Sequence, residues 1–280
     1  MAGTVAHPFG VERVETIPLN PPPLVRVLTQ VRFPHVFAVA EEAFAGRFQQ
    51  ALGADYPIAS SDFEFVISLS PAADAPPSGA QTRLWRFAGI DGSWRVSLGT
   101  GFVTLETTDY RGHVDFFGRL ERVLGATAEH ANPALVERVG VRYIQQLTEP
   151  TDLDRLSELV RAEVLGVYGV PVSDAQLEAS LCQSRYRQGD VLLAARWGLL
   201  PQNAAVDAAL PAASSASWVL DVDVFEETRR PFDVEGIVAR ALDFSRRQYR
   251  FFRWAVEPEF LLRFGADPAL VEAAKEAMKA

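Results

Sequence analysis

Two stretches of the chain alternate apolar and polar residues, and both carry the same Val-Arg-aromatic triplet. VRVLTQVRF spans residues 25–33, and VERVGVRYIQQL spans residues 136–147. Such alternation is typical of a β-strand with one face in the core, because successive side chains point to opposite faces. The triplets are Val31-Arg32-Phe33 and Val141-Arg142-Tyr143. Each strand is therefore predicted to lead a similar unit of structure.

Similar elements follow both lead strands. Helical periodicity at 39–53 and at 153–169 predicts one helix in each half. Short strands come next, including a hairpin around Gly189-Asp190 in the second half. A last helix is then expected to begin at Asp115 and at Asp233, since aspartate is a favoured N-cap residue. The two halves thus predict the same order of elements.

This order predicts an internal duplication, that is, two β-α-β-β-β-α repeats. The final helices also share Asp, Gly, Arg and Leu at matching offsets, from Asp115 to Leu124 and from Asp233 to Leu242. We predict an α+β fold in which the repeats form a composite antiparallel sheet, as a saddle or partial barrel, with helices on one face. The alternative is that the two units share only ordinary turn and cap residues. The predicted divisions are a polar leader (1–23), repeat 1 (24–130), repeat 2 (131–256) and C-terminal helices (257–280), the last of them beginning at Asp267-Pro268.

Three segments lack any apolar period and are rich in proline, alanine or serine, at 19–23, 70–81 and 201–217. Long loops of this kind are either functional lids or loose insertions. Their small side chains favour loose insertions over lids in our interpretation.

Composition excludes several classes of protein. The net charge of −9 opposes broad binding to a phosphate backbone, so nucleic acid is an unlikely partner. The N-terminal residues have no signal-peptide pattern, and no apolar run approaches the ~20 residues of a membrane span. Cys182 is the single cysteine, which fits a reducing compartment. We expect a cytoplasmic protein without membrane contact, in which Cys182 is a buried and inert thiol.

The chain resembles an uncharacterised bacterial family of sporadic distribution, with a motif close to R-x-G-x-R-Y-I-N. The resemblance extends over residues 21–265, and its motif falls on Arg138, Gly140 and Arg142 through Ile144. Gln145 stands where the family has asparagine. No activity comes with the resemblance. The patchy distribution implies an accessory role such as defence, competition or specialised metabolism.

The motif places two arginines and a glycine on one face of a strand. Arg138, Gly140 and Arg142 project together by alternation, and under the duplication Arg32 is the counterpart of Arg142. A glycine in mid-strand often marks close approach by a ligand, a backbone or a packed ring. Two related arginines suit a bidentate grip on a carboxylate or phosphate. The alternative, which we favour, is that they pair with Asp221, Asp223 or Glu106 across the sheet.

A second candidate site lies in VLDVDVF, where Asp221 and Asp223 share one face of a strand. Two carboxylates at this spacing can hold Mg²⁺, because hard cations bind oxygen ligands. Cross-strand pairing with arginines such as Arg185 and Arg187 explains them as well, and we favour it. The four histidines have no metal-ligand spacing, and we predict no cofactor, with magnesium as the alternative.

Three functional hypotheses remain. The first is a non-catalytic binding or adaptor protein that holds a protein partner or a small anionic ligand on the arginine-bearing sheet face. The second is a phosphoryl- or nucleotidyl-handling enzyme that uses Mg²⁺ on Asp221 and Asp223. The third is an antitoxin-like or immunity protein with an acidic masking surface. A homo-oligomer is compatible with each hypothesis, and catalysis is the less favoured expectation.

Overall fold

The computed structural model describes residues 5, 7–10, 14–68, 78–170, 173–207 and 210–277, with the backbone alone at 64–68, 78–82 and 277. Its strands are β1 (Leu24–Arg32), β2 (Ile58–Ser68), β3 (Ser78–Ala88), β4 (Trp94–Gly99), β5 (Phe102–Thr107), β6 (Leu135–Val136), β7 (Arg138–Leu147), β8 (Ser180–Gln188), β9 (Val191–Leu200), β10 (Ser217–Glu226) and β11 (Arg230–Pro231). Its helices are α1 (Glu42–Leu52), α2 (His113–His130), α3 (Pro150–Asp154), α4 (Leu156–Leu159), α5 (Ala162–Leu165), α6 (Val234–Ala255), α7 (Pro258–Arg263) and α8 (Pro268–Ala277). Short 3-10 helices span Phe37–Ala40, Gly53–Asp55 and Gly166–Gly169. Within these described ranges, every helix is too short or too polar to cross a lipid bilayer.

Nine strands form one antiparallel sheet in the order β2-β3-β4-β5-β1-β7-β10-β9-β8, and β11 pairs with β6. Among the described residues the sheet ends at β2 on one side and at β8 on the other, so it is not closed into a barrel. The α+β class and the large antiparallel sheet are therefore confirmed.

The two halves of the chain follow a similar order but are not identical. Four strands, β2 to β5, lie between α1 and α2, whereas three strands of the large sheet, β8 to β10, and the two-residue strand β11 lie between α5 and α6. One strand of the large sheet thus has no counterpart, and the internal duplication stays a prediction.

One compact unit, unit A, comprises residues 26–141 and 225–242. Aromatic side chains hold its helices against its strands. Phe48 of α1 lies 5.5 Å from Phe87 of β3, and Phe116 of α2 lies 5.8 Å from Trp94 of β4, as measured between ring centroids. Phe48 and Phe116 are fully buried. Burial of each such ring contributes roughly 2–3 kcal/mol.

The other compact unit, unit B, comprises residues 1–25, 142–224 and 243–280. Phe251 of α6 is fully buried at its centre, 6.3 Å from the ring of Trp197 on β9. The described part of the leader packs here too. Phe9 lies 4.8 Å from Tyr186 of β8, and the Ile17 N–H donates to the hydroxyl of Tyr249 at 2.8 Å.

The helix predicted at 153–169 is wrong as a single helix. The segment contains α4, α5 and a 3-10 helix, separated by extended backbone at Val160. Val160 forms a β-bridge with Val256, and the N–H of Arg161 donates to the carbonyl of Ala255 at 3.1 Å. Pairing with a neighbouring segment therefore overrides the helical periodicity.

The predicted N-caps have mixed outcomes. Asp233 accepts a hydrogen bond from the N–H of Gly236 at 2.9 Å, and Asp267 accepts one from the N–H of Ala269 at 2.8 Å, so both caps are confirmed. Asp115 is not a cap, because α2 begins two residues earlier and Asp115 pairs with Arg119 along the helix.

Two further expectations concern Cys182 and the segment at 70–81. Cys182 is exposed, so the expected burial of this thiol is wrong. The reason is its strand: β8 is an edge of the sheet, and most of its side chains are exposed. Of the loop predicted at 70–81, residues 70–77 lie outside the described residues and residues 78–81 belong to β3.

Candidate functional site

The two faces of β7 separate apolar and charged side chains as its alternation predicts. Val141 and Tyr143 are buried, and the Tyr143 hydroxyl lies 2.9 Å from that of Ser245 on α6. Arg138 and Arg142 are half-buried. The arginine-bearing face of β7 is thus opposite to the face that contacts this helix.

Arg142 and a second arginine share one carboxylate. Arg142 donates from Nε and Nη2 to the two carboxylate oxygens of Asp221, at 2.7 Å and 2.9 Å. Arg196 of β9 donates to Oδ2 of the same carboxylate from Nε and Nη2, at 2.9 Å and 2.6 Å. Arg142 also donates from Nη1 to Asp207 at 2.6 Å. These four residues, named the Asp221 cluster below, all belong to unit B.

The Asp221 cluster is largely removed from water. The exposed fraction of the side chain is 3% for Asp221 and 16% for Arg142. Burial on its own lowers the pKa of Arg142, but the hydrogen bonds and charges of Asp221 and Asp207 outweigh it and raise that pKa above the ordinary arginine value. Arg142 is therefore a fixed positive charge that orients an anion and does not exchange protons.

The sequence patterns did not identify Arg196 as a candidate site residue. A signal for it exists, because it is the single charged residue in β9, VLLAARWGLL. A lone charge in an otherwise apolar strand requires a counter-charge when it is buried. Pairing of Arg196 with an acidic residue on a neighbouring strand is the expectation that this signal supports.

Asp207 comes from the 201–217 loop, between β9 and β10. Beside it, Val206 is 8% exposed and packs into an apolar cluster with Ile144, Leu200 and Val219. The interpretation of this loop as a loose insertion is therefore wrong at Val206 and Asp207. Two adjacent residues of the loop contact the arginine-bearing face, one through an aliphatic side chain and one through a carboxylate.

Arg138 occupies a different environment, in unit A. Its guanidinium lies 4.5 Å from the ring centroid of Phe225, and its Nη1 lies 3.3 Å from Oε1 of Gln30. A Cβ atom at Gly140 would come within 2.5 Å of the same Nη1. The group that approaches this glycine closely is thus the side chain of Arg138, on the same strand.

We expect Gly140→Ala to displace the Arg138 guanidinium from Phe225. The free energy of unfolding should fall by about 1 kcal/mol, because the clash is with the end of a flexible side chain and the cation–π contact is a modest interaction. Urea unfolding measures it. Arg138→Gln is the matched control, since it removes the same contact, and the two changes combined should cost less than their sum. If the losses of the two single variants add in full, Gly140 affects stability by a route other than the Arg138 side chain.

Arg32 does not take part in a comparable cluster. Its side chain is exposed at the end of β1. In unit A, Glu106 of β5 forms ion pairs with Arg95 of β4 and with Arg26 of β1, the latter at 3.8 Å. Arg26 therefore pairs with the carboxylate of unit A, the role that the predicted duplication would give to Arg32 as the counterpart of Arg142.

Each unit thus contains a carboxylate on the middle one of three strands, with an arginine from each flanking strand. In unit A the carboxylate is Glu106, on β5 between β4 and β1. In unit B it is Asp221, on β10 between β9 and β7. The recurrence is consistent with the predicted duplication.

The magnesium candidates, Asp221 and Asp223, lie on β10. Both carboxylate oxygens of Asp221 accept hydrogen bonds from arginine, so a metal ion could coordinate there only by displacing them. Arg185 and Arg187 are exposed on the edge strand β8. Within the described ranges, no three His, Cys, Asp or Glu side chains are grouped to hold a metal ion.

Comparison with known proteins gives no further assignment. No protein-family model matches the chain, and no curated protein matches it. The resemblance to a sporadically distributed family therefore stays a prediction, and the geometry of the Asp221 cluster is the basis for any functional proposal.

Proposed function

We propose that the protein is a non-catalytic binding protein that holds the anionic group of a ligand at Arg142 and Arg196. The observation that carries the proposal is the sharing of Asp221 by both arginines. Two guanidinium groups and one carboxylate leave one positive charge within this group of three side chains. A second anion is needed to neutralise it, and a loop carboxylate, Asp207, supplies that anion here.

The chemistry of this site favours binding over catalysis. Arginine donors form charge-assisted, directional hydrogen bonds with carboxylates and phosphates. Arg142 stays protonated, so it cannot serve as a general acid or base. Asp221 is held between two arginines and is 3% exposed, which suits a structural anchor for them. A carboxylate or phosphate group is the class of ligand that these donors fit.

Anion binding can be tested by the melting temperature of the protein in sodium phosphate and in sodium citrate. A ligand that binds the folded state alone stabilises it by RT ln(1 + [L]/Kd), so the melting temperature rises with ligand concentration. We expect a rise that weakens with added sodium chloride, because partly exposed charges are screened. Asp207 is 27% exposed, so anions from solvent can compete with it.

Arg196→Gln should weaken this anion binding about tenfold, the typical effect of losing a charge-assisted hydrogen bond. The matched control is Arg187→Gln, an exposed position on the adjacent strand and the same sheet face. It should leave the melting-temperature rise intact. Equal losses in both variants would indicate general counter-ion binding, and no rise in the unsubstituted protein would refute the proposed function.

A further inference from the structure

The loop residues that contact the Asp221 cluster present two different chemical groups on consecutive positions. The carboxylate of Asp207 accepts from Nη1 of Arg142 at 2.6 Å. The side chain of Val206 is 92% buried against Ile144, Leu200 and Val219. A fixed positive charge and an apolar cluster thus lie side by side on unit B, at the spacing of adjacent residues in a peptide.

The base of this loop is held independently of its tip. Asn203 donates its N–H to the carbonyl of Ala213 at 2.8 Å, and Nε2 of Gln202 donates to the carbonyl of Ser214 at 2.8 Å. These bonds close the loop below Val206 and Asp207. The ends of β9 and β10 are therefore tied together by hydrogen bonds that do not involve Val206 or Asp207.

Two kinds of contact hold the described residues of the tip, namely the ion pair of Asp207 with Arg142 and the apolar packing of Val206. The sequence of the tip is NAAVDAAL at 203–210, in which four of the eight residues are alanine. Ala204 and Leu210 lie against the same apolar cluster as Val206. The described residues of the tip belong to no strand and contact the sheet through their side chains, so another chain with the same two groups can compete for the surface.

We propose that this surface of unit B recognises an acidic peptide segment, in which an aliphatic residue is followed by aspartate or glutamate, and that Val206-Asp207 occupies the site until such a partner displaces it. The proposal rests on the proposed function, because it assigns a ligand class to the same arginines. A free phosphate or citrate ion would satisfy Arg142 but would offer no side chain to pack against Ile144, Leu200 and Val219. A peptide fills both, and for that reason it is the favoured ligand.

The test uses the loop peptide itself as the probe. A fluorescein-labelled peptide of sequence NAAVDAAL with blocked ends is titrated with the full-length double variant Val206→Ser, Asp207→Asn, and anisotropy is recorded. Because the altered loop no longer competes, we expect binding at least about tenfold tighter than to the unsubstituted protein. Peptides with Val→Ser or with Asp→Asn should each lose binding. Arg196→Gln, added to the double variant, should lose it as well.

Phosphate and citrate titrated with the same double variant separate this proposal from the proposed function. Anion binding without peptide binding overturns the peptide proposal alone, and absence of both overturns the two together. Binding of the Val→Ser peptide as tightly as the parent peptide also overturns it, because the site would then recognise charge alone. Far-UV circular dichroism checks that the double variant is folded, and Asp207→Asn alone replaces it if it is not.

Discussion

Asparagine in place of Asp221 is expected to lower the free energy of unfolding by about 3 kcal/mol, at the lower end of the cost of breaking a buried ion pair. The carboxylate accepts hydrogen bonds from Arg142 and from Arg196 and is 3% exposed. A neutral amide leaves two guanidinium groups facing each other with only Asp207 to balance them. The two arginines are 16% and 30% exposed, so water relieves part of the repulsion. Urea unfolding followed by circular dichroism measures the loss.

The control for this variant is Asp190→Asn, at the exposed turn of the β8–β9 hairpin. It removes the same charge from the protein but no buried partner, and it should change stability by less than about 0.5 kcal/mol. Combining Asp221→Asn with Arg196→Gln should cost less than the sum of the single changes, because the second removes a charge that the first left unpaired. If Asp221→Asn lowers the free energy of unfolding by less than about 1 kcal/mol, solvent takes the place of the carboxylate. That result would contradict the cost expected for breaking a buried ion pair.

The sheet could be predicted from the sequence because its signals are local. Alternation identified β1 and β7, and Gly189-Asp190 identified the hairpin between β8 and β9. Where a distant segment decides the backbone, local signals fail. Helical periodicity continues through Val160, yet the backbone there pairs with Val256 and is extended. Nothing local to residue 160 records that partner.

The residues of the candidate site also separate into those that local sequence signals predict and those that distant contacts determine. Pairing between Arg142 and Asp221 follows from alternation on two strands, and the sequence favours it over a vacant arginine face. The role of Asp207 could not be predicted, because it lies in a loop rich in alanine whose conformation no periodicity specifies. Gly140 shows a further limit. Its strand position predicts close approach by some group, but only the folded structure identifies that group as Arg138.

The second large effect is expected at another mid-strand glycine. Gly198 of β9 has a φ of 143°, and a Cβ atom there would lie 1.8 Å from the carbonyl oxygen of Ser180. Gly198 is paired with Leu181 on β8, so the obstacle is the backbone of the neighbouring strand, which cannot rotate away as a side chain can. We expect Gly198→Ala to cost at least about 3 kcal/mol, through clash and an unfavourable φ together.

Gly118→Ala is the matched control, because a Cβ atom at that position in α2 meets nothing within 4 Å. Alanine is the better helix former, so this variant should gain about 0.5–1 kcal/mol in the same urea unfolding experiment. Gly198 also lies two residues from Arg196 on β9. A shift of that strand should therefore weaken phosphate and citrate binding in any Gly198→Ala protein that remains folded, whereas Gly118→Ala should bind both anions normally. Similar stability for the two variants would contradict the close approach of β8 and β9 at Gly198.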